Sequence, residues 1–217
     1  MTPNQVTAAR VAAAFVAVAL FTLGGDTLPA DLAAVLLTVA AIALDGVDGY
    51  LARTRGLATP LGAQLDILGD RVVENLFFTF FAVSGLISLW VPVFFFVRGS
   101  LTDFLRGLAA RAGRSGFGAN SMLETWWGRS LVASRTSRAA YATLKCACFC
   151  CLGVLLPLRH LPAAQFNAWF GATAAQALTG LAVIFCLVRA IPVIWEGRRH
   201  LAAAEKPSAA VATVASR

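Results

Sequence analysis

Long apolar runs alternate with short polar stretches along almost the whole chain. A helix that crosses a bilayer needs about 20 apolar residues. Six runs of that kind are predicted, at roughly 6–24, 32–53, 63–88, 90–111, 139–157 and 164–195. The expected fold is all-α: a polytopic membrane protein with six transmembrane helices over residues 1–202. The first run is expected to persist as a span, because it lacks a clear small-residue cleavage site and no acidic soluble domain follows. Residues 203–217, rich in Ala, Ser and Val with Pro207, are expected to form a disordered tail. There is no internal repeat.

Composition supports this picture. The chain is 59% hydrophobic and 13% charged, with a mean hydropathy of +0.74, which excludes an ordinary soluble domain. The net charge of +7 is unevenly placed. The loops near 25–31, 86–91 and 158–163 hold one basic residue, Arg159. The other side holds Arg10, Arg53, Arg55, Arg106, Arg111, Arg114, Arg129, Arg135, Arg138, Arg198, Arg199 and Lys206. Basic loops stay in the cytoplasm, so both termini are expected there. The basic residues fringe spans and form no DNA-reading module, which argues against nucleic acid as a partner.

The polar residues inside the apolar runs carry the chemistry. Asp45 and Asp48 lie near the end of the second run, and Asp66 and Asp70 near the start of the third. Spacings of three and four put each pair on one helical face. Ionised carboxylates in an apolar setting are costly and usually functional. Four side by side call for a cation between them, and hard oxygen donors select Mg²⁺, Mn²⁺ or Ca²⁺ over zinc. Gly49 and Gly62 flank the carboxylates and let backbone or ligand approach. Arg53 sits at the mouth, where a guanidinium suits a phosphate. Alternatively, the aspartates pair with Arg53, Arg71, Arg98 or Arg106 between spans. Glu74 continues the face of Asp70, either in support or as a partner of Arg71 or Arg98.

Other candidates are weaker. Cys146, Cys148, Cys150 and Cys151 lie mid-span among apolar neighbours, without the spaced loop pairs of a zinc site, and read as small buried or lipid-facing residues. His160 and His200 lie far apart in sequence, and neither has a ligand partner nearby. An interfacial helix is expected around Ser121–Trp127, within the longest polar connection. Thr59-Pro60 is expected to open the third helix.

The run Asp45-x2-Asp48-Gly49-x2-Ala52-Arg53-x8-Gly62-x3-Asp66-x3-Asp70 resembles the signature of the CDP-alcohol phosphotransferase family at every position. Asn4, Thr7 and Arg10 resemble that family's N-terminal opening. The resemblance implies six transmembrane helices, a homodimer, and transfer of a substituted phosphate from a CDP-linked lipid such as CDP-diacylglycerol to an alcohol, releasing CMP. It implies two Mg²⁺ or Mn²⁺ ions on Asp45, Asp48 and Asp66, with Asp70 as metal ligand or as the base that takes the acceptor's proton. Gly49, Ala52, Arg53, Thr59 and Gly62 would shape the CDP pocket. The active site would open to the cytoplasm, in a bacterial inner membrane.

The acceptor is less legible. Arg98, Asp103, Arg106, Arg135, Arg138 and Lys145 are candidate lining residues. Arg106, Arg135 and Arg138 are the choice for an acceptor phosphate, against ordinary positive-inside anchoring. Glycerol-3-phosphate is the preferred acceptor, and inositol or inositol phosphate the alternative. A reading of another class, a divalent-cation transporter, also accommodates intramembrane aspartates. It fits less well, because these lie toward one face and not at the midplane of repeated halves.

Overall fold

The computed structural model describes residues 2–25, 27–54, 59–111, 113–114, 121–158, 160 and 164–204. Within them, side chains are described except those of residues 3, 45–54, 60, 164–170, 200 and 202–204. Helices dominate: α1 (Pro3–Leu23), α2 (Leu28–Thr54), α3 (Pro60–Val83), α4 (Trp90–Arg111), the short α5 (Trp126–Gly128), α6 (Arg135–Leu158) and α7 (Ala164–Ala204). There is no strand among the described residues. Six of these helices have 21 residues or more.

Local sequence explains the starts. At α1, Thr2 Oγ1 accepts the N–H of Gln5 while Gln5 Oε1 accepts the N–H of Thr2, and Pro3 follows where its missing N–H costs nothing. At α3, Thr59 accepts the N–H of Gly62 at 3.0 Å and Pro60 takes the first helical position, as the Thr-Pro pair predicts. α3 ends at Val83, five residues before the expected limit. Gly85, at φ +76°, then turns the chain toward α4.

Asn4–Leu23, Arg135–Leu158 and Gly171–Arg199 are each long and apolar enough to cross a membrane, and α2 adds the shorter apolar stretch Leu28–Leu44. α3 and α4 are as long but carry charged residues along their length. The protein is an all-α polytopic membrane protein.

The chain forms two compact units, Met1–Phe96 with Thr143–Val183, and Val97–Ala142 with Ile184–Arg217. In the first, α1 packs on α2 and on α3. Phenylalanines fill its centre: Phe78 stacks on Phe95 at 4.4 Å between centroids, and Phe149 of α6 meets both Phe77 and Phe78. Close ring pairs of this kind add to simple burial. Asp31, buried at the start of α2, meets His160 Nε2 at 3.0 Å.

In the second unit, Ala109, Met122, Leu123, Val132 and Val193 form an apolar cluster. The helix expected at Ser121–Trp127 is displaced. Helical backbone begins only at Trp126 and continues as a π-helical turn, Arg129–Ala133. Side chains have taken the preceding donors: Ser121 Oγ accepts the N–H of Leu123 and Glu196 accepts those of Glu124 and Thr125. A backbone so engaged favours a turn over a helix. Thr125 then caps α5 by accepting the N–H of Gly128.

Candidate active site

Asp66 and Asp70 lie one turn apart on α3, and Gly69 between them determines how closely α1 approaches. A Cβ on Gly69 would stand 2.8 Å from Thr7 Cγ2 and 2.9 Å from Arg10 Nη2. Only glycine leaves room there without displacement of α1 side chains. The close approach seats Arg10, itself 2% exposed, against both acids. Its Nη1 donates to Asp70 Oδ1 at 3.0 Å, and its Nη2 lies 3.5 Å from Asp66 Oδ1 and from the Asp66 carbonyl oxygen. Both aspartate side chains remain 47% exposed. The guanidinium therefore grips them on one flank and leaves carboxylate surface accessible.

Gly62 repeats the relation two turns earlier: a Cβ there would lie 3.0 Å from Asn4 Oδ1 and 3.0 Å from Thr59 Oγ1. Asn4, Thr7 and Arg10 thus run along the α1 face that meets the start of α3. Thr59 caps the helix through its hydroxyl.

Asp45, Asp48, Gly49, Ala52 and Arg53 fall within the helical backbone of α2, as expected. Their side chains lie outside the described residues. Tail residues from 205 onward are also outside them.

Glu74 is buried and held by two cations, Arg71 Nη1 at 3.0 Å and Lys145 Nζ at 3.1 Å. Of the partners expected for it, Arg71 is found, and Lys145 of α6 joins it. All these residues belong to the first unit.

The remaining candidates belong to the second unit. Arg106 lies 3.5 Å from Asp103. Arg135 and Arg138 are exposed in the first turn of α6, where the Arg138 N–H donates to the Ser134 carbonyl at 3.2 Å. Arg98 is buried, and its Nε has no hydrogen-bond partner among the described residues. Arg189 on α7 is buried as well and lies within electrostatic reach of Arg98 and Arg138. Its Nη1 donates to the Leu131 carbonyl at 2.8 Å and to Ser137 Oγ at 2.5 Å, and its Nη2 to the Val132 carbonyl at 3.3 Å. Its guanidinium also stands 5.4 Å from the Tyr141 ring centre. Three arginines from α4, α6 and α7 therefore gather in one unit. Two of them, Arg98 and Arg189, are buried and carry like charge, so the arrangement favours an anion.

The CDP-alcohol phosphatidyltransferase family model matches residues 1–204. The chain belongs to the CDP-alcohol phosphatidyltransferase family. No curated protein matches it significantly. The protein is thus a transferase of substituted phosphate groups, acting in phospholipid biosynthesis within a membrane. It passes a phosphatidyl group from a CDP-alcohol to a hydroxyl acceptor. Membership sets aside the cation-transporter reading.

For the transferase, two half-exposed carboxylates one turn apart supply hard oxygen donors of the type that Mg²⁺ and Mn²⁺ prefer. They fit a metal-binding role. Sequence reasoning missed Arg10 as their partner, naming Arg53, Arg71, Arg98 and Arg106 instead. The signal lay in Gly69, a glycine between the two acids, and in the Thr7/Arg10 spacing of three. Arg189 and Glu196 also escaped notice, since single charges in a long apolar run have no local pattern.

Proposed function

We propose that the enzyme transfers the phosphatidyl group of CDP-diacylglycerol to glycerol-3-phosphate, forming phosphatidylglycerol phosphate and releasing CMP. Family membership supports the reaction class. Arg98 and Arg189, both buried, with Arg138 next to the Ser137 hydroxyl that Arg189 holds, carry the choice of a phosphorylated acceptor. Guanidinium groups make forked hydrogen bonds to phosphate oxygens that a neutral alcohol does not offer. Arg106 and Arg135 contribute positive charge to the same unit.

Asp45, Asp48, Asp66 and Asp70 would hold Mg²⁺ or Mn²⁺, two ions per site. Bound there, the metal would neutralise the pyrophosphate and stabilise the leaving phosphate oxygen. Asp70 takes the proton of the acceptor hydroxyl as its oxygen attacks the phosphorus that bears the diacylglycerol. The phosphorus–oxygen bond to CMP breaks, and CMP leaves with the electron pair. Arg10 orients Asp70, because a buried two-pronged guanidinium fixes a carboxylate more firmly than solvent does. Gly49, Ala52, Arg53, Thr59 and Gly62 line the CDP pocket. Glycines at Gly49 and Gly62 keep side chains out of it. The site opens to the cytoplasm of a bacterial inner membrane, in a homodimer, consistent with the basic loops on that side.

Inositol phosphate shares the acceptor's chemistry. CMP release from CDP-diacylglycerol, measured with glycerol-3-phosphate, inositol phosphate, inositol and serine in turn, separates these acceptors. Equal turnover with an unphosphorylated alcohol would overturn the phosphate assignment.

A further inference from the structure

Glu196 of α7 is 2% exposed and takes no part in the chemistry above. Among the described residues its carboxylate faces backbone and hydroxyl donors, with no ion pair to a cation. Oε2 accepts the N–H of Glu124 at 2.5 Å and of Thr125 at 3.4 Å, and Oε1 accepts the Thr125 hydroxyl at 2.5 Å. A Cβ on Gly128 would lie 2.8 Å from Glu196 Oε1 and 3.3 Å from Pro192 Cβ. Glycine at that position is what allows the segment to close on α7.

Arg189, Val193 and Glu196 are spaced four and three apart, so they share one face of α7. Glu196 holds the start of the 121–137 segment. Val193 packs in the cluster with Met122, Leu123 and Val132. Arg189 holds the carbonyls of Leu131 and Val132 and the hydroxyl of Ser137. Ser137 Oγ also donates to the Leu131 carbonyl at 2.5 Å. The segment is thereby fixed at both ends and in the middle. It leads directly into the first turn of α6, which carries Arg138.

We propose that Glu196 is a positioning residue for the acceptor: by holding Glu124 and Thr125 on α7 it sets the path into α6, and so the place of Arg138 beside Arg98 and Arg189. This rests on the acceptor site assigned under the proposed function. Without Glu196, the segment is held through Arg189 and the apolar cluster, and the start of α6 gains freedom. CDP-diacylglycerol, which does not depend on Arg138, is bound as before.

The test uses the full chain in detergent or nanodiscs, as wild type, Glu196→Ala, Glu196→Gln and the milder Thr125→Val. Amide exchange of Glu124 and Thr125 is followed by mass spectrometry, and CMP release is measured against glycerol-3-phosphate and CDP-diacylglycerol separately. Glu196→Ala should speed exchange at Glu124 and Thr125. It should raise KM for glycerol-3-phosphate about tenfold, and KM for CDP-diacylglycerol by less than about twofold, since small misplacements far from the chemistry are felt in the bound geometry. Glu196→Gln should restore most of the effect, because its amide oxygen still accepts from backbone N–H groups. If Glu196→Ala does not fold, Thr125→Val should show the same split in smaller measure. Unchanged exchange, or both KM values rising together, overturns the proposal. Wild type without glycerol-3-phosphate-dependent CMP release overturns the acceptor assignment instead. In that case faster exchange at Glu124 and Thr125 still supports the clamp, and unchanged exchange overturns it.

Discussion

Arg10 Nη1 stands 3.0 Å from Asp70 Oδ1, across 60 residues of sequence, and Arg10 is almost wholly buried while Asp70 is half exposed. The first helix therefore serves the acids of the third. Arg10→Ala should destabilise the protein by about 1–3 kcal/mol, less than a fully buried pair would cost because solvent screens the aspartates. Arg10→Lys should restore part of the stability but little of the activity, because one ammonium cannot span both carboxylates. Thermal unfolding in detergent, alongside CMP release, checks both. Wild-type turnover in Arg10→Ala would remove the orienting role.

Gly69→Ala tests the same contact from the other side. The added methyl would overlap Thr7 Cγ2 and Arg10 Nη2. Overpacking of this kind typically costs about 1–3 kcal/mol. A lowered Tm with reduced turnover is expected, and Gly69→Val should be worse. An unchanged Tm would show that α1 yields freely.

Asp70→Asn preserves shape and removes basicity. Turnover should fall about 10²-fold or more, the usual scale for a general base, with CDP-diacylglycerol still bound. Nearly normal turnover would exclude proton removal by Asp70.

The mid-span cysteines supply a contrast. None of the five is in a disulfide among the described residues, Cys148 and Cys186 are buried, and Cys148 Sγ lies 3.2 Å from Thr179 Oγ1. Replacing Cys146, Cys148, Cys150 and Cys151 together by Ala or Ser should leave activity near wild type. Lost activity in a variant that still folds would give them a role in the site.

The positions of the long helices and the Thr-Pro start of α3 were legible in sequence because they depend on local periodicity and capping. The expected fourth span and α4 share the limits 90 and 111. The partners were not legible. Arg10 meets Asp70, and Lys145 meets Glu74, through helix packing that no short window encodes. The turn at Ser121–Ala133 was misplaced for a related reason: a carboxylate more than 70 residues away takes its N–H groups.

Divalent metal should be required. Treatment with excess chelator should abolish CMP release, and Mg²⁺ or Mn²⁺ should restore it, since the anionic pyrophosphate cannot approach clustered carboxylates uncompensated. Full activity in chelator would contradict this.

The most direct measurement is product formation by the purified full chain given CDP-diacylglycerol, Mg²⁺ and glycerol-3-phosphate, with CMP and lipid products followed by mass spectrometry. Equal amounts of CMP and phosphatidylglycerol phosphate should appear, and neither with Asp70→Asn. CMP formed without a phosphorylated lipid product, or no CMP with any acceptor, would contradict the account.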